Sequence, residues 1–445
     1  MHQKNERAKE RKMKNEKILG ISVPWFILLT VVIWATAYIG VLPKNMLTGW
    51  VFTATLGGLL LWAGGKIPKF DMLGGPSLLC LFIPALFTMW GIFPESFKEL
   101  VNDFYQGSKF GYIELFVSTL IAGSILTMDR NLLVKAGTRY AVPLLIGVLG
   151  TMVLAYLIGA ITGFGGKDAI RLIMIPIMGG GIGAGAVPLA QIFSAYGGTY
   201  EQVYSTILPA VAMGNIVAIL MGALLGFLGR DSQKFGIKHF SGHGSLMQEG
   251  GEEFQGKEVK DAEVLDVELM GTGMIVAGAL YAIGYIFSKK ILTTFHAYAY
   301  TIILAAVIKI TGIFPKDLEK AAGQWYSFIA KYGLASMMVC TGFCSMSLPD
   351  CIAAFSNPAY VIIVIAVAAG SAIFAGFGGL LMKMNFCESG ITAGLCMANM
   401  GGSGDIAVLG AADRMELMPF AQISSRIGGA IMLIIASLIG PWLVA

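Results

Sequence analysis

Charge is scarce in this chain of 445 residues. Asp, Glu, Lys and Arg make up 13% of it, against about 25% in a soluble domain. With 56% hydrophobic residues and a mean hydropathy of +0.74, it lacks the polar surface of a water-soluble globule. Histidine is scarcer still: His2, His239, His243 and His296 all fall outside the long apolar runs. A buried metal site or a transmembrane histidine relay therefore has no support. The six cysteines, Cys80, Cys340, Cys344, Cys351, Cys387 and Cys396, follow no zinc-type spacing. Cys340 and Cys344 are one helical turn apart without a second ligand pair, so packing accounts for them. Basic and aromatic residues do not interleave as a nucleic-acid surface requires, which excludes that partner. Gly181-x-Gly183-x-Gly185 lacks a flanking βαβ unit and an acid about 20 positions on, which excludes a dinucleotide fold.

What is abundant is apolar sequence in runs of about 20 residues, the length that crosses a bilayer. Spans are expected near 21–40, 47–65, 72–93, 110–128, 139–163, 205–229, 269–290, 297–314, 326–348, 357–381 and 419–444. The run from Ile21 to Gly40 is too long for a signal-peptide core and lacks a small-residue cleavage site, so it reads as an anchor. Segments 172–196 and 386–413 are apolar enough for membrane but interrupted by glycines, Pro188 and polar residues. Each reads as a re-entrant hairpin that enters and leaves on one side. The expectation is an all-α integral membrane protein of about eleven transmembrane helices, in two inverted repeats with two opposed hairpins.

Lys and Arg concentrate in cytoplasmic loops. On this topology 23 basic residues share the side of the N-terminus and 7 lie opposite, which puts the N-terminus inside and the C-terminus outside. Lys289 and Lys290 fall on the outer side against the trend. The net charge of +4 follows from these loops. The chain divides into a basic cytoplasmic N-terminus (1–20), a first transmembrane helix (21–46), a first repeat (47–229), a linker (230–268) and a second repeat (269–445). The linker, rich in Asp and Glu, is expected to be cytoplasmic and to join two bundles.

Chemistry concentrates in three places. The first is Pro176-Ile-Met-Gly-Gly-Gly-Ile-Gly-Ala-Gly-Ala-Val-Pro188, which has no polar side chain. It can offer a ligand only its backbone, through amides brought close by glycine and through a half-helix N-terminus that favours an anion; tight packing of small residues is the alternative. The second, Asn399-Met-Gly-Gly-Ser-Gly-Asp405, repeats the Gly-Gly-x-Gly string 221 residues on, with Ser403 opposite Ile182 and Asp405 opposite Ala184. Gly-rich backbone at membrane depth is tolerated only where protein or a wet cavity surrounds it, and paired breaks in two halves point to a transporter site. Asn399, Ser403 and carbonyls near Met397 are hard oxygen donors suited to sodium. Asp405 is an acid that must be paired, solvated or protonated at that depth, or else a cap on the following half-helix. The third is Ser424-Ser425-Arg426, where a guanidinium inside a span faces a cavity or partner and suits a carboxylate. An ion pair with Asp405, or snorkelling, is the alternative.

The strings Gly179-Gly-Gly-Ile-Gly-Ala-Gly-Ala-Val-Pro-Leu189, Ile391-Thr-Ala-Gly-Leu-Cys-Met-Ala-Asn399 and Ala421-Gln-Ile-Ser-Ser-Arg-Ile-Gly-Gly429 resemble the bacterial 2-hydroxycarboxylate transporter family, over essentially the whole chain. The resemblance implies homodimers in a bacterial inner membrane and an elevator motion of mobile transport domains. It implies substrate contacts at Gly181, Ile182, Gly183, Met400, Gly402, Ser403 and Arg426. Sodium would lie near Ile177, Gly180, Cys396, Met397, Asn399, Ser403 and Ser425, with Asp405 as the coupling candidate. No cofactor is implied beyond Na+ or H+ as coupling ion. Where the citrate–sodium symporters of the family carry asparagine in the first loop this chain has Ile182, and where they carry arginine before the second Gly-Gly it has Met400. One cationic fork fewer favours a dicarboxylate, malate, over citrate. The malate–lactate exchangers also have Met there but tend to carry Asn in place of Asp405, and the sodium symporters share the aspartate. The expected function is cation symport of a 2-hydroxycarboxylate, with citrate–sodium symport or malate–lactate exchange as alternatives.

Two other classes fit worse. Gly402-Ser-Gly-Asp405 matches the G-x-G-D pattern of intramembrane aspartyl proteases, but that chemistry needs a second carboxylate, and neither Glu114 nor Asp129 has the local sequence for it. A channel filter could also use re-entrant loops, but the two loops here are dissimilar. No enzymatic activity is expected. Asn215, in mid-span, is expected to be a helix-to-helix hydrogen bonder.

Overall fold

The computed structural model describes residues 16–68, 70, 75–106, 111–128, 130, 137–230, 239–248, 266–293 and 295–444. The basic cluster from Lys4 to Lys14, Lys69, Asp129, Asn131, Lys135, most of the linker (231–238 and 249–265) and the side chain of Ser403 lie outside the described residues. Among the described residues, apart from a β-pairing of Lys17–Ile18 with Ile21–Ser22 and an isolated bridge between Met247 and Met384, the regular structure is helical.

Each run expected to span the bilayer forms helix, but not with equal length. Among the described residues, six helices are long and apolar enough to cross: Met46–Gly64, Arg139–Ile161, Tyr200–Arg230, Val267–Ile291, Pro358–Leu381 and Met415–Val444. Val23–Tyr38, Gly75–Met89, Tyr112–Leu126 and Ala297–Thr311 are shorter. At 1.5 Å per residue a helix of about 15 residues covers about 22 Å, less than a hydrocarbon core of about 30 Å. The expected straight span 326–348 is instead two helices, Lys316–Tyr332 and Leu334–Cys344, bent by 51°. The bend falls at Gly333, whose carbonyl accepts a 3.0 Å hydrogen bond from the Tyr112 hydroxyl. That hydroxyl occupies the space a Cβ would need.

The chain folds as two compact units. The first comprises 1–116 and 329–348. Its core is aromatic: the Trp34 and Phe52 rings stack with centroids 5.0 Å apart, and Phe97 meets both edge-on. Helix Glu95–Gln106, not expected as an element, buries Phe97, Leu100, Val101, Phe104 and Tyr105, one stripe at helical spacing. Buried hydroxyls pair within the same unit, Thr53 with Ser336 and Tyr105 with Thr341.

The second unit comprises 117–328 and 349–445. Helices Gly137–Ile161 and Pro358–Leu381 pack along their length, with Gly147 facing Ala375 and Gly378 facing Pro143. Small residues at such a contact let backbones approach, as between membrane helices. The opposite face of Gly137–Ile161 exposes Leu145, Leu149, Val153, Leu157 and Ile161, a stripe at helical spacing. An exposed apolar face of that extent calls for an apolar solvent. The protein is a multi-pass membrane protein.

Candidate functional site

Both glycine-rich segments are broken helices within the second unit. The first is helical to Ile177, irregular over 178–181 and helical again over Ile182–Ser194. The second is helical to Leu395, irregular over 396–401 and helical again over Gly402–Ala412. Each carries a wide turn closed by a bond from residue i+5 to i, Ala186 N–H to Gly181 O at 2.9 Å and Cys396 N–H to Ile391 O at 2.9 Å. Such widened turns recur at functional sites.

Glycine is required where the two breaks meet. Gly181 sits at φ +99° and a Cβ there would overlap the Met400 carbonyl; Gly401 sits at φ +83°, facing the carbonyl of Gly180. A positive φ excludes most side chains, and the close approach excludes the rest. The breaks are therefore in backbone contact, tip against tip.

Side chains hold only the second tip. Asn399 donates from Nδ2 to Asp405 Oδ1 at 2.9 Å and accepts from the Gly401 amide at 2.7 Å. The Ser425 hydroxyl donates to Asp405 Oδ2 at 2.6 Å. Asn215, from the middle of Tyr200–Arg230, accepts from the Met400 amide at 3.1 Å. Asp405, Asn399 and Asn215 are buried. Asp405 does not cap its half-helix; both its oxygens are bonded to the side chains of Asn399 and Ser425, and among the described residues no basic group forms an ion pair with it. The alternative of an Asp405–Arg426 pair is thus not seen. A buried carboxylate beside a side-chain amide and a hydroxyl brings together hard oxygen atoms of the kind a monovalent cation takes.

A cavity of about 150 Å³ opens beside this network, lined by Gly179 and Gly180 of the first break, Gly401, Gly402 and Asp405 of the second, and Ser425 and Arg426. Arg426 is half-buried, and no carboxylate among the described residues pairs with it. Its guanidinium lies 6.0 Å from the centre of the Tyr326 ring, at the outer limit of a cation–π contact. Leu120, Ile121, Ile302 and Leu433 supply the apolar side.

Of the residues expected at the site, the structure brings together Gly180, Gly181, Met400, Gly402, Asn399, Asp405, Ser425 and Arg426. Ile177, Ile182, Gly183, Cys396 and Met397 are buried at the two breaks and, like Gly181, Asn399 and Met400, do not line the cavity. Tyr326, Gln422 and Ser124 line it and were not singled out by sequence. Nor was Tyr140, whose hydroxyl lies 2.8 Å from Ser424 Oγ, nor the buried pair Glu388–Arg414 at the base of the second segment.

The profile of the 2-hydroxycarboxylate transporter family matches residues 18–438. The chain is 32% identical over 430 residues to a citrate/sodium symporter of Salmonella typhimurium, covering 95% of this chain and 94% of that protein. It is 35% identical over 437 residues to the malate transporter MleP of Lactococcus lactis, covering 96% and 99%. To a Na(+)-malate symporter of Bacillus subtilis it is 34% identical over 424 residues, covering 94% and 91%.

Proposed function

Since the chain belongs to the 2-hydroxycarboxylate transporter family, we propose that it is a secondary active carrier that moves a 2-hydroxycarboxylate, malate in preference to citrate, together with sodium or protons. One observation carries this. An Arg426 guanidinium that no carboxylate among the described residues pairs with lines a cavity walled by glycine backbone of both breaks, and the buried Asp405 lines it too. Arg426 is the anion clamp, because its fork takes a carboxylate in two parallel hydrogen bonds. Amides at Gly180, Gly401 and Gly402 on the cavity wall face the rest of the anion, and Gly181, Ile182, Gly183, Met400 and Ser403 are the further contacts that membership of the family implies. The cation sits among Asn399, Asp405, Ser403, Ser425 and carbonyls of Ile177, Gly180, Cys396 and Met397.

Malate is favoured on size and charge. The cavity of about 150 Å³ is small, and Arg426 is the one basic residue among those lining it. A third carboxylate would be buried without a partner, which is costly. Names of relatives support either acid: of the three described above, one is named for citrate and two for malate, and further citrate carriers match as well. Sodium is supported by two of those names and by the oxygen donor set.

The wider architecture is proposed on the same footing: eleven crossings in two inverted repeats, the broken segments as re-entrant hairpins, the N-terminus in the cytoplasm and the C-terminus outside, a homodimer, and an elevator motion. As hairpins entering from opposite faces, both tips would reach the substrate. The test is uptake of labelled malate into proteoliposomes of the purified protein, under an imposed sodium gradient, an imposed pH gradient, or internal lactate, with unlabelled citrate as competitor. Accumulation driven by sodium or protons is expected, with citrate a weak competitor. Uptake driven only by internal lactate would make the protein an exchanger.

A further inference from the structure

The base of the second broken segment contains a buried polar cluster that the transport chemistry does not use. Glu388, at the start of the first arm, is fully buried. Its carboxylate accepts from Arg414 Nε at 3.3 Å, from the Ser241 hydroxyl at 3.1 Å, and from the amides of Gly242 at 2.9 Å and Gly244 at 3.2 Å. Arg414 lies two residues past the second arm, Gly402–Ala412, and is itself buried. One ion pair thus ties the two roots of the hairpin together, and the linker closes over it.

The linker also supplies what the helix start lacks. The first backbone N–H groups of a helix have no partner within it, and Asn385 makes no side-chain cap here. The amides of Asn385, Phe386 and Cys387 donate instead to the carbonyls of Leu246, His239 and Phe240, at 2.9, 3.0 and 2.8 Å. Asn385 Nδ2 donates back to the carbonyls of Ser245 and Met247. The rings of Phe240 and Phe386 stack with centroids 5.4 Å apart. Residues 239–247 are therefore built into the hairpin, beyond joining two halves of the chain.

We propose that Glu388, Arg414 and residues 239–247 form a root clamp that positions the 396–405 tip, so that Glu388 and Arg414 are positioning residues for cation capture. The lever is geometric. An arm of about ten residues at 1.5 Å per residue puts the tip about 15 Å from the root, so a root tilt of about 4° moves the tip by about 1 Å. Displacements of that size are enough to degrade a site. The cation part of this proposal rests on the assignment of Asn399, Asp405 and Ser425 under Proposed function.

Two readouts on the full-length protein test it and keep the two claims apart. In proteoliposomes, Glu388→Gln is expected to raise the half-saturating sodium concentration for malate uptake about tenfold and Ser241→Ala about threefold, with Arg414→Lys between them, from loss or weakening of charge-assisted bonds. The malate KM at saturating sodium stays within about twofold, because no clamp residue lines the cavity. A half-saturating concentration equal to wild type in a folded variant would overturn the proposal. Hydrogen exchange measured by mass spectrometry on the detergent-purified protein decides the clamp without transport. Faster exchange at 396–405 in Ser241→Ala, with unchanged exchange at 178–187, is expected; equal exchange at both tips would overturn the clamp. Should wild-type uptake prove independent of cations, the cation assignment fails there and exchange still decides the clamp.

Discussion

The two breaks share a Gly-Gly-x-Gly string and differ in what holds them. The first, at 178–181, has no polar side chain and is shaped by backbone alone, with Gly181 pressed on the Met400 carbonyl. The second, at 396–401, is held by Asn399, Asp405, Ser425 and Asn215 through four side-chain hydrogen bonds. The difference fits the division of labour proposed above, anion at one tip and cation at the other. A glycine tip allows close approach to an anion but has no side chain to hold a cation; the oxygen-rich tip has those donors and needs a rigid frame. Substitutions should accordingly damage the two tips in different ways.

Arg426→Ala gives the largest effect, since it removes the guanidinium that both tips face. Truncating one partner of a buried charge pair costs about 2–5 kcal/mol, or about 30- to 5000-fold in affinity. Malate binding by the purified variant should fall into that range while its elution as a folded species is unchanged; wild-type affinity would remove Arg426 from the anion site.

Gly181→Ala comes next and probes the backbone tip. A residue forced into a positive φ costs about 1–3 kcal/mol before the overlap with Met400 is counted, so malate uptake should drop about 100-fold and no polar side chain at 181 should rescue it. Equal activity of the alanine variant would show that the two tips separate.

Asn215→Ala breaks the second tip more gently. It takes an acceptor from the Met400 amide, and an unsatisfied buried donor costs about 1–3 kcal/mol, or about 5- to 150-fold. The half-saturating sodium concentration should rise within that range, with exchange faster at 396–405 than at 178–187. A rise in malate KM alone would place Asn215 with the anion.

The smallest effect is a gain. Ile182→Asn combined with Met400→Arg adds an amide to the first tip and a cation to the second. Citrate should compete with malate about tenfold better, the scale of one added charge-assisted contact of about 1.5 kcal/mol. Unchanged competition would separate the citrate preference from these two positions.

Much of this molecule could be read from sequence because hydrophobic runs and glycine pairs are local signals. Helices formed on every expected run, and the breaks fell at Gly180–Gly181 and Gly401 as the repeated string indicates. What escaped was of two kinds. Glu95–Gln106 has a plain helical stripe, but a search tuned to membrane-length runs passes over it. The bend at Gly333 lies inside an apolar run and depends on Tyr112, 221 residues away. In the site, Arg426 and Asp405 stood out because charge inside a span is costly. Asn215 was expected as a helix-to-helix hydrogen bonder, but its partner Met400 lies 185 residues on, and such pairings leave no local mark. The Glu388–Arg414 pair was missed for the same reason, each residue sitting near a segment end where charge is ordinary.

The most direct test of this division is sodium-driven accumulation of malate by Asp405→Asn in proteoliposomes, beside malate–malate exchange by the same preparation. The side chain keeps its shape and loses its charge. The account predicts that exchange persists while accumulation against a gradient is lost. Normal sodium-driven accumulation by Asp405→Asn would contradict it and return the second tip to a structural role.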